Sequence, residues 1–205
     1  MKRTLLLCGL GVVLVANCSL AQDTHGLYAP APPPNSAFVR LVNMTAASAS
    51  ATLGSKTAVA PKAGISPYVV VPQGKATLKA GGVNSSAQVF AGKFYSAIWN
   101  GNRFQLITDV TADDRSKAIL ALYNLGSAKM LDLRTSDGKL SVISGVKPGQ
   151  MGSRAVNGIT VDLAAFKGSK AVAFFRGVNL ERGSAYAIIV TDSGSSFTTS
   201  TTTTK

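Results

Sequence analysis

The sequence predicts an all-β chain: two tandem small β-sandwich domains, duplicated, following a cleaved signal peptide. Three observations lead there. From Ala37 onward there is almost no helical periodicity, only short apolar runs separated by turn chemistry. Asn100-Gly101 is the strongest hairpin signal in the chain, because both residues tolerate the positive φ of a type I′ turn. Finally, the opening strand recurs. Ala37-Phe-Val-Arg-Leu-Val-Asn43 lines up with Ala118-Ile-Leu-Ala-Leu-Tyr-Asn124, and Gly92-Lys-Phe-Tyr-Ser-Ala-Ile98 with Gly183-Ser-Ala-Tyr-Ala-Ile-Ile189. Two matches in the same order point to a duplicated domain.

The organisation follows from these signals. Residues 1–21 read as a signal peptide: Lys2 and Arg3 are basic, Thr4 to Ala16 are apolar, and Ser19-Leu20-Ala21 is a small-x-small cleavage site. A lipoprotein box at Val15-Ala16-Asn17-Cys18 is disfavoured because Asn17 stands where Gly or Ala is expected. The expected compartment is therefore the periplasm. Residues 22–36 form a linker and a proline-rich strap in which Pro30, Pro32, Pro33 and Pro34 fix φ and remove backbone donors. Residues 37–109 form the first sandwich, 110–117 a polar linker, and 118–205 the second sandwich.

Within the first domain the strands are read as Ala37 to Asn43, Ser48 to Leu53, Ser66 to Val71, Lys75 to Ala80, Ser85 to Phe90, Phe94 to Trp99 and Arg103 to Thr108. Gly54-Ser55, Pro72-Gln73-Gly74 and Gly81-Gly82 supply breaks. The Ser/Thr-rich end looks like low complexity. By analogy with Arg103 to Thr108, Phe197 and its threonines are read as a closing strand to about Thr201, fraying beyond.

Charge and cysteines narrow the function classes. Removing Lys2 and Arg3 leaves 19 basic residues against 9 acidic, a net charge of about +10. The cations are scattered singly, so the surface is either simply cationic or suited to an anionic polymer or an acidic protein. Nucleic acid is not expected of an exported protein with no recognised nucleic-acid motif. Both cysteines, Cys8 and Cys18, lie in the leader, so the mature chain has neither thiol nor disulfide.

No catalytic or metal motif emerges. The single histidine, His25, sits in the linker, and there is no Gly-x-Ser-x-Gly elbow, P-loop or calcium-loop spacing. Asp113-Asp114 falls in the polar linker, where nothing in the sequence would tune a carboxyl pKa. The expectation is a non-enzyme with no cofactor and no metal.

The period of two assigns faces. Val39 and Leu41, matched by Leu120 and Leu122, point to the core. Phe38, Arg40 and Val42, matched by Ile119, Ala121 and Tyr123, point the other way. That second face is read first as covered by the proline strap and second as a protein contact. Tyr95 and Tyr186 read as matched core or corner tyrosines. Trp99 reads as a core cap or, if exposed, as a sugar-stacking residue beside Arg103.

Leu27-Tyr28-Ala29-Pro30 followed by Pro34-Asn35-Ser36-Ala37-Phe38-Val39-Arg40-Leu41-Val42-Asn43 resembles the alginate biosynthesis protein AlgF family, in which a Leu-Tyr-x-Pro segment leads into a Ser-Ala-Phe-Val-Arg-type strand. Weaker similarity runs through Pro72-Gln73-Gly74, Gly92 to Tyr95, Ala118 to Asn124 and Thr135 to Lys139. The resemblance implies a non-catalytic periplasmic adaptor of exopolysaccharide O-acetylation, alginate by the family name. Such a protein would link a membrane-bound O-acyltransferase to periplasmic SGNH-type acetyltransferases. Tyr28, Phe38 and Arg40 are the expected partner-binding residues, and Trp99 and Arg103 the expected polysaccharide-binding ones. A carbohydrate-binding or adhesive β-sandwich module and an acetyl-transferring or acetyl-removing hydrolase stand as alternatives.

Overall fold

The computed structural model describes residues 31–110, 114 and 116–200. The leader, His25, Tyr28, Asp113 and the residues after Ser200 lie outside them. From Pro32 on the chain is one compact unit. Among the described residues there are sixteen strands and no helix.

The first half contains β1 (Ser36–Asn43), β2 (Ala49–Leu53), β3 (Lys56–Ala60), β4 (Val69–Pro72), β5 (Gly74–Ala80), β6 (Val83–Val89), β7 (Phe94–Trp99) and β8 (Phe104–Thr108). They form two four-stranded sheets, ordered β4-β1-β7-β8 and β3-β2-β5-β6. The second half repeats this plan with β9 (Ala118–Asn124), β10 (Leu131–Thr135), β11 (Ser141–Val146), β12 (Gln150–Val156), β13 (Thr160–Lys167), β14 (Lys170–Asn179), β15 (Ala185–Val190) and β16 (Ser195–Ser200). Its sheets run β12-β9-β15-β16 and β11-β10-β13-β14. Even the register repeats: Val39 lies opposite Tyr95 in the parallel β1–β7 pair, and their counterparts Leu120 and Tyr186 lie opposite each other in β9–β15.

Each half closes over its own core. Val39, Leu41, Leu53, Leu78 and Trp99 belong to one, and Leu120, Leu122, Leu133, Leu163 and Ile188 to the other. The matched tyrosines sit at corners: the Tyr95 hydroxyl accepts from the Phe90 N–H and Tyr186 from the Glu181 N–H, each five residues upstream. A second duplicated device closes each opening strand. Asn43 donates from Nδ2 to the carbonyls of Ala47 and Pro61, and Asn124 to those of Ala128 and Val146. Both are buried, so the amides satisfy loop carbonyls that water cannot reach.

A third apolar cluster joins the halves. Val42, Ile65, Ile98 and Ile107 meet Ala121, Tyr123, Met151, Ala187 and Ile189. The sheets holding β1 and β9 are therefore packed on both faces, which explains why β7, β9 and β15 read as nearly continuous apolar runs. For Arg40 and Val42 the expected strap cover gives way here, while Leu27 to Pro30 of the strap lie outside the described residues. Pro32, Pro33 and Pro34 are exposed, and the second half covers Arg40 and Val42.

Two local expectations also change. The Asn100-Gly101 hairpin exists, but Trp99 pairs with Phe104, so the loop has four residues rather than two. Asn100 Oδ1 holds it by accepting the N–H groups of Asn102 and Arg103. Strand β3 had no clear sequence signal, because its alanines supply the buried side and Val59 faces solvent.

Candidate functional site: a sealed junction and an exposed second half

The densest polar chemistry among the described residues is at the junction. Arg40 projects from β1 toward the second half because Val39 and Leu41 take the core side. Its Nε donates to Ser96 Oγ at 3.0 Å and lies 3.3 Å from Asp109 Oδ2. Its Nη1 donates to Ser200 Oγ at 2.6 Å and its Nη2 to the Tyr123 hydroxyl. Ser96 and Tyr68 both donate to Asp109 Oδ2, at 2.8 and 2.5 Å. The guanidinium also lies over the Tyr68 ring, 4.5 Å from its centroid.

The electrostatics fit a closed charge pair. Burial opposes the Arg40 charge, but Tyr123, Tyr68 and Asp109 more than offset it and hold its pKa above the ordinary value. Burial pushes the Tyr68 phenol up, against the pull of Arg40. Burial pushes Tyr123 up to about 12, again against Arg40. Both phenols thus remain protonated donors at neutral pH, and Asp109 has the donors a buried carboxylate requires.

A serine beside an aspartate, a tyrosine and an arginine invites a catalytic reading. The burial argues against it. Ser96 and Tyr123 are fully enclosed, Arg40 is 3% exposed, and Asp109 is likewise buried, so a substrate has no access. The cluster does the work of an interface: it satisfies polar groups where two sheets close on each other.

This placement redistributes the expected site residues. Arg40 is an internal junction residue and is not presented to an outside partner. Phe38 is half-buried and stacked on Phe94, with centroids 4.5 Å apart. Trp99 is 4% exposed and packs on Phe104 in the first core, with no ring face left for a sugar. Arg103 is exposed at the adjacent loop. The structure brings Trp99 and Arg103 to one hairpin, and Phe38 and Arg40 to neighbouring positions on one face of β1, without joining the two pairs.

Sequence reasoning did not single out the surface of the second half. Met130, Leu140, Ile159, Val172 and Phe174 are all exposed there. Leu140 and Ile159 rim a cleft of about 330 Å³ between β11 and β12 that reaches Leu120, Leu163 and Leu180, with Lys117 and Arg154 at its edge. Arg154 ties the two sheet edges by donating to the Ser141 and Val142 carbonyls. The signal that was available is the Lys170-x-Val172-x-Phe174-x-Arg176 alternation in β14.

A family profile described as Alginate O-acetyl transferase AlgF matches residues 9–187. The alginate biosynthesis protein AlgF of Pseudomonas syringae pv. tomato is 34% identical over 200 residues, covering 95% of this chain and 89% of that protein. AlgF of Pseudomonas aeruginosa is 34% identical over 194 residues, covering 93% and 88%. A solved structure of the C-terminal domain of AlgF from P. aeruginosa is 37% identical and covers 42% of this chain and 99% of that one, with a TM-score of 0.38. The expected similarity of the opening stretch thus extends over nearly the whole chain, and the chain belongs to the AlgF family.

Proposed function

We propose that this protein is a non-catalytic periplasmic adaptor of exopolysaccharide O-acetylation, linking a membrane-bound O-acyltransferase to periplasmic SGNH-type acetyltransferases. Alginate is the polymer suggested by the names of its relatives. The observation that carries the reading is a contrast. Among the described residues the junction's serine-aspartate-tyrosine cluster is sealed between two sheets, while large apolar side chains stand open at the surface, most of them on the second half. A catalytic nucleophile has to be within reach of its substrate. Docking proteins keep apolar and aromatic side chains available at the surface.

The family profile carries the word transferase, so activity is the proper test. Purified mature protein is incubated with an activated acetyl ester and, separately, with an SGNH-type acetyltransferase. The proposal expects no ester turnover and a stable complex. Turnover abolished by His25→Ala or Ser96→Ala would establish the hydrolase reading instead.

A further inference from the structure

We infer that the outer face of the β11-β10-β13-β14 sheet, centred on Phe174, docks an acidic partner protein. This rests on the adaptor reading and specifies one of its surfaces.

The face is set by alternation. Leu131, Leu133, Leu163, Ala165, Ala173 and Phe175 enter the second core, so Asp132, Arg134, Ala164, Phe166 and Phe174 lie on the other side. Phe174 is opposite Ala164, and Ala164 opposite Arg134, forming one row across three strands. Arg134 covers the neighbouring Phe166 ring at 5.1 Å, whereas Phe174 is 56% exposed. An aromatic side chain with arginine nearby is the composition found at the centre of protein interfaces.

Fold does not require it. The corresponding outer sheet of the first half has the same strand order and presents Thr52, Thr77, Lys75, Lys79, Ser86 and Gln88, with Val59 its exposed apolar residue and Phe90 exposed just past the end of β6. The same architecture is thus built with strand centres that are polar at Thr77 and Ser86, and burial in the chain's own core does not account for Phe174.

Charge selects the partner. Lys170 and Arg176 are exposed on the same strand as Phe174. The acids on this face, Asp132 and Asp162, are outnumbered by Arg134, Lys170 and Arg176, so its net charge is positive. Asp132 accepts from the Gly145 N–H and from Arg134, which outweigh its partial burial and hold its pKa below the ordinary value. Asp162 accepts from the Gly177 N–H at 2.6 Å. A second copy of this chain, equally cationic, would bring like charges together; an acidic protein complements them. Two register irregularities in the β13–β14 pairing, one on each side of Phe174, break the regular edge ladder, which favours contact through the face over an added strand.

The test measures binding of the full-length mature protein to a purified SGNH-type acetyltransferase. Phe174→Ser should weaken binding at least tenfold with an unchanged melting temperature, whereas Val59→Ser, which trims an exposed side chain on the first half, should leave it unchanged. Lys170→Glu with Arg176→Glu should weaken binding comparably and flatten its salt dependence. Wild-type affinity retained in both second-half variants would overturn this surface while sparing the adaptor reading. Failure of the wild-type protein to bind would overturn both. If Phe174→Ser instead impairs binding of alginate polymer and spares the acetyltransferase, the face is a polysaccharide site and the inference is wrong.

Discussion

At the junction, positions 40 and 96 of the first half are arginine and serine, whereas the matched positions 121 and 187 of the second are both alanine. The reverse holds at position 42, where the first half has valine and the second supplies Tyr123 at the same place in the repeat. The outer sheets diverge as well, toward threonine, serine and lysine in one half and toward phenylalanine and arginine in the other. What stays constant is whatever builds a sandwich: core leucines, corner tyrosines and the two strand-closing asparagines. Duplication supplied two equal scaffolds, and divergence made one face of each fit the other. A second arginine at position 121 would place two cations in one buried space, so an asymmetric junction is the workable solution.

The junction gives the largest expected effect. Arg40→Ala leaves Asp109 buried beside neutral groups and should cost about 3–5 kcal/mol in urea unfolding. Replacing both Arg40 and Asp109 with leucine should cost less than the single change, because no uncompensated charge remains. If the single change costs under about 1 kcal/mol, the charge pair is not what holds the halves together.

Alkali probes the same cluster. The Tyr123 phenol has a folded pKa of about 12 against an ordinary value near 10, so the unfolded chain releases that proton first. The corresponding stability is complete below about pH 10 and is lost as pH climbs toward 12, amounting to about 3 kcal/mol. Phenolate absorbance should show a late-titrating component that coincides with loss of structure. Ionisation of every tyrosine together near pH 10, with the fold intact, would contradict the cluster's geometry.

The paired asparagines give a smaller, sharper contrast. Asn43 Oδ1 accepts from the Thr45 N–H and hydroxyl, whereas Asn124 Oδ1 has no partner among the described residues, and Gly126 at the matching position has no hydroxyl to offer. The glycine is needed there because an added Cβ would come within 2.8 Å of Asp192 Oδ1 and 3.1 Å of the Asp192 backbone nitrogen. Asn43→Ala should therefore cost about 2–3 kcal/mol and Asn124→Ala about 1 kcal/mol less, measured by thermal unfolding. The smallest effect belongs to the outer sheet: Phe174→Ser should change stability by no more than about 0.5 kcal/mol.

Much of the fold was legible because its signals are local. Phe94 to Trp99 and Ala118 to Asn124 were bounded correctly, since each is an unbroken apolar run between turn residues. The duplication showed through its corner tyrosines. Strand β3 was not legible, because alanine satisfies a core position without announcing a strand. The functional surfaces were harder still. Arg40 looked available to a partner because period two gives a side chain's direction but not what lies beyond it, and here that was the second half of the same chain. Trp99 stood next to a loop, yet its direction placed it in the core. Phe174 drew no notice because one exposed aromatic becomes informative only beside its polar counterpart in the repeat.

The central claim is that the buried Arg40 cluster makes two repeated sandwiches unfold as one unit. Trp99, the sole tryptophan, reports on the first core, and amide exchange of Leu120 to Leu122 reports on the second. Following both through a urea titration of the wild-type protein and of Arg40→Ala tests the claim directly. Coincident transitions in the wild type that separate in Arg40→Ala are the predicted result. Separate transitions in the wild type, or coincidence that survives the loss of Arg40, would contradict it.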